Sequence, residues 1–318
     1  MEIGAKKLEV VKLENEFITL EFIPQLGSKI TKIQHKNSSH NFLLPPQDFP
    51  YKLASYNTPF EEYDTSGFDD CFPTVSACSI LQNNESINFP DHGDIWSAQA
   101  DIINIGTSFA FIKVDGTSFP YSFHKKINLS ENKIVLNYEV ISNSEQAQYV
   151  LWSAHPLLSI SENSQILLPP EVKNLFVNWS LNNRLGQFAD TISWPVHKNN
   201  DLSFIGNKNL GFADKLFTEK LTQGICGYYH HETNEHILYK FSTKEIPYIG
   251  VWICQGGWPQ SRNSQHYTVA LEPCFGMPDS VSYAAKNKSC ILLPSMGKYT
   301  WNLEIILGRD LPKLEDYI

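Results

Sequence analysis

The sequence is poor in arginine and has no C-x-x-C pair of cysteines. Arginine occurs at only three of the 318 positions, and the formal net charge is −9. Nucleic-acid binding depends on clustered Lys and Arg that contact phosphates, so this composition argues against a nucleic-acid partner. The six cysteines are scattered along the chain, and we expect them to be reduced thiols that mostly act as small buried hydrophobic side chains.

Long apolar segments are also missing. No stretch approaches the roughly 20 apolar residues of a membrane-spanning helix. The first residues, Met1 to Lys7, lack the apolar segment of a secretion signal. We therefore expect a cytoplasmic protein without a membrane partner, and the sequence leaves open whether it is a monomer or a homodimer.

Few windows could sustain an amphipathic helix of ten or more residues, whereas short alternating runs are common. Apolar and polar side chains alternate over Ile134–Val140 and Trp301–Leu307, and the breaks between such runs carry Gly, Asn, Asp, Ser or Pro. This pattern predicts an all-β fold, an antiparallel sandwich that forms one domain over residues 1–318. Helical turns are expected only near residues 61–67 and 214–220.

Two histidines lie in segments that differ from the rest of the chain. His92 is followed by Gly93, is flanked by Asp91 and Asp94, and precedes Trp96. The glycine permits close backbone approach beside an imidazole that the carboxylates could orient or charge. His155 ends an apolar strand directly before a proline, which indicates a position at the rim of a sheet. A structural or solvated histidine is the simpler interpretation of each one taken alone.

Glu272 follows a short apolar strand, Val269–Leu271. A carboxylate in such surroundings has a raised pKa unless it is paired, which makes it a candidate base near neutral pH. The alternative is a buried salt bridge. The scarcity of arginine makes this alternative less plausible.

These segments, taken in order, resemble the aldose 1-epimerase, or galactose mutarotase-like, superfamily. The resemblance extends over residues 8–308. It includes Phe22–Ile30, which is similar to the family's strand–Pro–x–x–Gly–strand opening, and Gly67–Pro73, an aromatic and acidic segment found in less-characterised branches. The resemblance implies an antiparallel β-supersandwich with a sugar in a cleft on one sheet.

The family interconverts the α and β anomers of a free aldose by opening and closing the sugar ring. By position, Glu272 would remove the proton from the C1 hydroxyl and His155 would protonate the ring oxygen, with His92 assisting. This assignment requires an ionised Glu272 beside a protonated His155 at the start of a turnover. The reaction needs no metal and no organic cofactor. The expected partner is a small sugar.

Five further side chains are expected to contact the sugar. Trp258 follows Gly256 and Gly257 on a probable loop and could stack on a sugar ring, and Asp214 is a candidate for the family's sugar-binding aspartate. The acidic segment and the His-Gly segment supply the others: Asp70, Asp94 and Trp96.

The chain departs from the best-known branches, which leaves the substrate open. An upstream arginine of the galactose-type branch is missing, and so is the arginine that follows His-Gly in the hexose-6-phosphate branch. A sugar-phosphate mutarotase is therefore a disfavoured alternative. A catalytically silent carbohydrate-binding protein is the main alternative. A glycosidase that pairs Glu272 with Asp69, Asp70 or Asp94 is the third, to be decided by the spacing of the carboxylates.

Overall fold

The computed structural model describes residues 8–82, 85–262 and 264–317, in which strands dominate. Met1 to Lys7, on which the expectation of no secretion signal rests, lie outside the described residues. The strands, numbered in chain order, are β1 (Val11–Glu14), β2 (Ile18–Ile23), β3 (Lys29–His35), β4 (Phe68–Cys71), β5 (Cys78–Gln82), β6 (Glu85–Phe89), β7 (Asp101–Ile105), β8 (Phe109–Asp115), β9 (Tyr121–Ser130), β10 (Lys133–Ser142), β11 (Gln148–Val150), β12 (Ser153–Ser159), β13 (Gln165–Leu167), β14 (Asn174–Ser180), β15 (Thr191–Ser193), β16 (Val196–His197), β17 (Asn200–Asp201), β18 (Phe212–Thr218), β19 (Ile225–His230), β20 (Glu235–Phe241), β21 (Tyr248–Gln255), β22 (Tyr267–Cys274), β23 (Ile291–Leu293) and β24 (Lys298–Arg309).

Helical structure within the described ranges is short. The α-helix α1 covers Val281–Lys286, and the 3-10 segments are Pro24–Leu26, Phe60–Glu62, Leu181–Asn183, Lys208–Leu210 and Leu314–Tyr317. The helical turn predicted near residues 61–67 is confirmed only in part, by Phe60–Glu62. The turn predicted at residues 214–220 is wrong, because β18 pairs there with strands on both sides. None of the described helices is long and apolar enough to cross a membrane.

Two large antiparallel sheets confirm the predicted β-sandwich. One has ten strands in the order β1-β2-β3-β4-β12-β22-β21-β18-β14-β15, and the other has eight in the order β13-β19-β20-β24-β10-β9-β8-β7. One hydrophobic core joins them, with Leu20, Val177 and Leu271 from the first sheet and Leu136 and Ile305 from the second. That residues 1–318 form a single domain stays a prediction.

Burial varies among the strands of the two sheets, and three strands of the ten-stranded sheet that are buried on both faces carry the site. Strand β9 alternates buried and exposed side chains along most of its length, as expected where one face meets the core and the other meets water. In the ten-stranded sheet, β12, β18 and β22 are buried almost throughout. Their outer face, which points away from the eight-stranded sheet, is therefore also covered. The cavity described below lies on this covered face.

Candidate active site

A cavity of about 420 Å³ lies on the outer face of the ten-stranded sheet. Its lining combines acids, bases and aromatic rings: Phe60, Val75, Ser76, His92, His155, Leu157, Asn178, Trp179, Lys215, Trp252, Trp258, Glu272 and Asp279. A larger depression of about 490 Å³ on the eight-stranded sheet contains none of the predicted site residues. The smaller cavity is the better candidate because it joins perturbed ionisable groups to an apolar wall.

Glu272 and His155 are brought together by strand pairing. The two residues lie midway between the paired positions Ser153–Cys274 and Leu157–Ala270 of β12 and β22. The His155 Nε2 atom is 4.0 Å from Glu272 Oε1. Both Glu272 Oε1 and His155 Nδ1 are buried without a hydrogen-bond partner among the described residues.

Gly250 makes room for the Glu272 side chain. It pairs with Glu272 across β21 and β22, and a Cβ atom at this position would lie 3.1 Å from Glu272 Oε2. A side chain there would press on the carboxylate. The absence of a side chain at Gly250 thus leaves space for the Glu272 carboxylate on this face of the sheet.

Lys215 was missed by the sequence analysis, and it corrects one of its arguments. Its Nζ atom contacts Glu272 Oε2 and lies 3.4 Å from Asp279 Oδ1. Glu272 is therefore held in a buried ion pair. The scarcity of arginine does not argue against such a pair, because a lysine supplies the positive charge. Ala213, Lys215 and Phe217 occupy alternate positions of β18 and share one face of the sheet. The sequence analysis could not place Lys215 on this face, because it predicted a helical turn in this segment.

The environment changes the proton affinities of these groups in opposite directions. Burial raises the pKa of Glu272, an effect that contact with Lys215 opposes and Asp279 reinforces. Burial, together with the nearby His92, Lys215 and Lys29, holds the pKa of His155 well below its usual value. Burial therefore disfavours a protonated His155 in the empty site, and the protonated His155 required at the start of a turnover stays a prediction. The affinities of the two groups instead move toward each other from their ordinary values.

His92 lies beside the pair, and its local backbone explains the His-Gly motif. Both His92 and Gly93 have positive φ, and a Cβ atom on Gly93 would lie 2.2 Å from the carbonyl oxygen of Phe72. The His92 Nδ1 atom is 2.9 Å from Asp91 Oδ1, and its ring stacks on Phe60 at 3.9 Å between centroids. The ring centroid of His92 is 5.0 Å from that of His155, so the three catalytic candidates lie together.

Asp70 and Asp94 were predicted to contact the sugar, but the structure places both away from the cavity. The Asp70 carboxylate accepts bonds from Lys125 Nζ and Trp152 Nε1 inside the core. The Asp94 carboxylate accepts bonds from Ser118 and from the hydroxyl of Tyr121. In a strand, successive side chains point to opposite faces, so Asp69 faces outward while Asp70 faces the core.

Asp69 is nevertheless occupied as well. Its Oδ2 atom lies 3.0 Å from Lys29 Nζ, which also contacts Asp64 at 2.6 Å. None of the three acids expected to pair with Glu272 in a glycosidase, Asp69, Asp70 or Asp94, is among the described residues that line the cavity. Asp279, the other acid that lines it, shares Lys215 with Glu272.

The remaining three predicted contacts divide in the same way. Trp258 lines the cavity, and its stacking on a sugar stays a prediction. Trp96 does not line it; its Nε1 donates to the carbonyl of Asp91, so it supports the His92 segment from behind. Asp214 faces the opposite side of β18 from Lys215 and is paired with Arg184 and Ser180.

One cluster of described residues could hold a metal ion. Single ligand atoms of Cys71, His92 and His155 lie within 4.8 Å of one another. A bound metal would need the thiolate, and burial raises the pKa of Cys71 well above its ordinary value. Burial therefore favours the protonated thiol over the thiolate that a metal would bind. Contacts with Asp91 and Glu272 account for the positions of the two histidines.

The fold matches several solved structures over nearly its whole length, including ones named as galactose mutarotase-like or galactose mutarotase related. The Slr1438 protein from Synechocystis is 11% identical with a TM-score of 0.73, covering 98% of this chain and 99% of that one. A galactose mutarotase related enzyme from Lactobacillus acidophilus is 14% identical with a TM-score of 0.71, covering 96% and 99%. A galactose mutarotase-like protein from Clostridium acetobutylicum is 13% identical with a TM-score of 0.71, covering 95% and 98%.

The resemblance of the fold to this superfamily is therefore confirmed. At these identities the similarity describes the fold alone. No curated protein matches the sequence. A family model does match, over residues 3–273, which include all three catalytic candidates. The chain belongs to the family described as domain of unknown function DUF5107.

Proposed function

We propose that the protein is a mutarotase of the aldose 1-epimerase type, in which Glu272 and His155 move protons to and from a bound sugar. The observation that carries this proposal is the pair itself. An acid and a base 4.0 Å apart face a cavity of about 420 Å³, and each presents a buried polar atom without a partner. A C1 hydroxyl and a ring oxygen are adjacent groups that would satisfy both atoms.

Matched proton affinities suit this reaction. A mutarotase works in both directions between two anomers, so each group has to release a proton about as readily as it accepts one. A carboxyl with a raised pKa and an imidazole with a lowered pKa approach this condition. The reacting state has one proton shared by the pair and placed on His155: Glu272 then takes the C1 proton while His155 delivers the shared proton to the ring oxygen, with His92 hydrogen-bonded nearby. Ring closure after rotation returns both protons.

The charges in the cavity favour a sugar without a phosphate group. Lys215 is the only lysine or arginine among the described residues that line it, and two carboxylates already share its charge. A phosphate would need an unpaired cation, best supplied by arginine. We propose a neutral sugar as the partner and the cytoplasm as the location.

Anomer exchange measured by two-dimensional NMR tests the proposal. The wild-type protein should speed exchange between the α and β forms of at least one free aldose, and Glu272→Gln should reduce the rate by about 10²–10⁴-fold. The variant keeps the volume of the side chain, and equal thermal unfolding of both proteins would serve as the control for folding. Unchanged exchange in Glu272→Gln would falsify the mechanism.

A silent carbohydrate-binding protein is the second candidate, favoured by one observation. The contact of Lys215 with Glu272 holds the carboxylate in an ion pair that a base would have to leave in part. Saturable sugar binding without any Glu272-dependent exchange would support this alternative.

A further inference from the structure

We propose that the cavity contains a second sugar subsite, a tryptophan wall made of Trp179, Trp252 and Trp258, and that the substrate is a reducing di- or oligosaccharide. The reducing ring would lie over Glu272 and His155, and the next ring would lie against the wall. This inference rests on the proposed function for the position of the reducing end.

Two rows of side chains cross the outer face of the ten-stranded sheet. The catalytic row contains His155, Glu272 and Gly250 at successive paired positions. The second row lies two residues further along each strand and contains Leu157, Ala270, Trp252, Lys215 and Trp179. Two residues of a strand span about 6–7 Å, so the two rows are side by side on the same face.

The second row extends well beyond what one sugar ring covers. From β22, which carries Glu272, to β14, which carries Trp179, there are three steps between neighbouring strands. At about 4.7–4.9 Å a step this is about 14 Å. A single six-membered ring over Glu272 and His155 cannot reach the far end of this row.

Trp179 and Trp252 contact each other, and both line the cavity. Their ring centroids are 5.9 Å apart with an interplanar angle of 25°, and Trp258 meets Trp252 at 5.8 Å and 89°. Trp179 remains 39% exposed, although indole is a large apolar group. Aromatic faces of this kind bind the apolar C–H faces of sugar rings, and the polar edge of the indole tolerates water when the site is empty.

A bulge turns Trp179 and its neighbour toward the cavity together. Consecutive strand residues normally face opposite sides, but the register of β14 against β18 shifts between Val177 and Trp179. Asn178 and Trp179 consequently both line the cavity. The Asn178 Nδ2 atom donates to Asp279 Oδ2 at 2.8 Å. Polar groups beside the wall favour a sugar with hydroxyls over a purely apolar aglycone.

Anomer exchange and binding should be measured on matched sugars. Glucose and galactose are compared with the reducing disaccharides maltose, cellobiose and lactose, by exchange NMR and by saturation-transfer binding NMR. We expect kcat/KM for at least one disaccharide to exceed that of its reducing monosaccharide by about tenfold, which corresponds to about 1.4 kcal/mol. Trp179→Ala should remove most of that ratio.

The control is Phe204→Ala, which removes an aromatic ring that is 49% exposed and lies outside the cavity lining. It should leave the ratio unchanged. Tryptophan fluorescence of the wild-type protein gives a reading that does not depend on the variant folding: disaccharides should shift it more than monosaccharides at equal occupancy.

The outcomes separate the two proposals. If Glu272-dependent exchange occurs but disaccharides are no better than monosaccharides, and fluorescence does not distinguish them, the second subsite is overturned and the mutarotase proposal stands. If disaccharides bind in a Trp179-dependent manner without exchange, the subsite stands and the mutarotase proposal fails. Release of monosaccharide in the same spectra would likewise support the subsite and replace the proposed reaction with hydrolysis.

Discussion

Two buried lysine–carboxylate pairs lie on opposite faces of the ten-stranded sheet. In the core, Lys125 reaches from the eight-stranded sheet to one oxygen of Asp70, and Trp152 donates to the other oxygen. On the cavity face, Lys215 contacts one oxygen of Glu272, and the other oxygen has no hydrogen-bond partner among the described residues.

The difference lies in how completely each carboxylate is satisfied. A buried carboxylate with partners on both oxygens fixes the packing around it, and it has nothing left to offer a ligand. A carboxylate that is bonded on one side only keeps one desolvated oxygen without a partner, and Glu272 is such a carboxylate at the lining of the cavity. The same residue types thus give a structural cross-link on one face and a candidate base on the other.

Breaking the core pair should produce the largest effect. Asp70→Ala leaves the Lys125 charge buried and unpaired, so the free energy of unfolding should fall by about 3–5 kcal/mol. Urea unfolding at pH 7 measures this. The double variant Asp70→Leu with Lys125→Met should recover much of the loss, because no buried charge is then left unpaired.

Anomer exchange sharpens the same experiment. The rate per folded molecule should be nearly unchanged in Asp70→Ala, since the residue does not reach the cavity. A loss of exchange as large as that of Glu272→Gln would contradict the division between the two faces.

The pH dependence of the free energy of unfolding tests the cavity side of the sheet, where two buried histidines lie. Burial lowers the pKa of His266, whose ring packs on Trp258, to about 4, and it lowers that of His155 as well. The unfolded chain therefore binds protons that the folded chain does not. This contribution to stability is complete above about pH 6.5, where both states are neutral, and is lost as the pH falls toward 4.

One such histidine accounts for at most about 3 kcal/mol. Asp69 acts in the opposite direction, because burial raises its pKa to about 6 despite the attraction of Lys29, and it offsets part of the loss. Urea unfolding at pH 7 and pH 5 measures the net change. His266→Gln should make the dependence shallower, and an unchanged slope would contradict this account.

Removing Lys215 should have a smaller effect than the changes above. This effect is on the rate of anomer exchange, and its size depends on pH. Lys215 lowers the pKa of Glu272, so Lys215→Met should raise it and reduce the ionised fraction at neutral pH. The acid limb of the pH–rate profile should move to higher pH, with about a tenfold loss on that limb for each unit of pKa. Lys215→Arg keeps the charge and serves as the control. An identical pH–rate profile in Lys215→Met would show that the ion pair does not determine the pKa of Glu272.

The sequence predicted the fold, and it singled out three residues that lie together in the structure, more successfully than it singled out the residues around them. Alternation and turn residues identified an antiparallel sandwich, because one face of most strands of the eight-stranded sheet meets water. The order of His92, His155 and Glu272 was informative, since each lies in a segment with an unusual backbone or an unusual charge. These residues do meet at one cavity.

Two of the residues expected to contact the sugar lie on the wrong face of their strand. Asp70 and Asp214 are each one position away from a residue on the cavity face, Asp69 and Lys215. A strand buried on both faces has no alternation of polarity to mark which side is which, so sequence alone could not assign them. Phe60, Trp179 and Asp279 come from a 3-10 segment, a bulge and a loop, which no periodic pattern marks.

The two rows on the cavity face have a consequence for how specificity can change. They share the strands β12, β21 and β22, and the second row, which carries Trp252 and Trp179, lies two residues along from the catalytic pair. A substitution at Trp252 or Trp179 alters the surface offered to a sugar and leaves the hydrogen bonds between strands, and hence the positions of Glu272 and His155, intact. Family members could therefore diverge in the saccharides they accept by exchanging side chains in one row while inheriting the chemistry of the other.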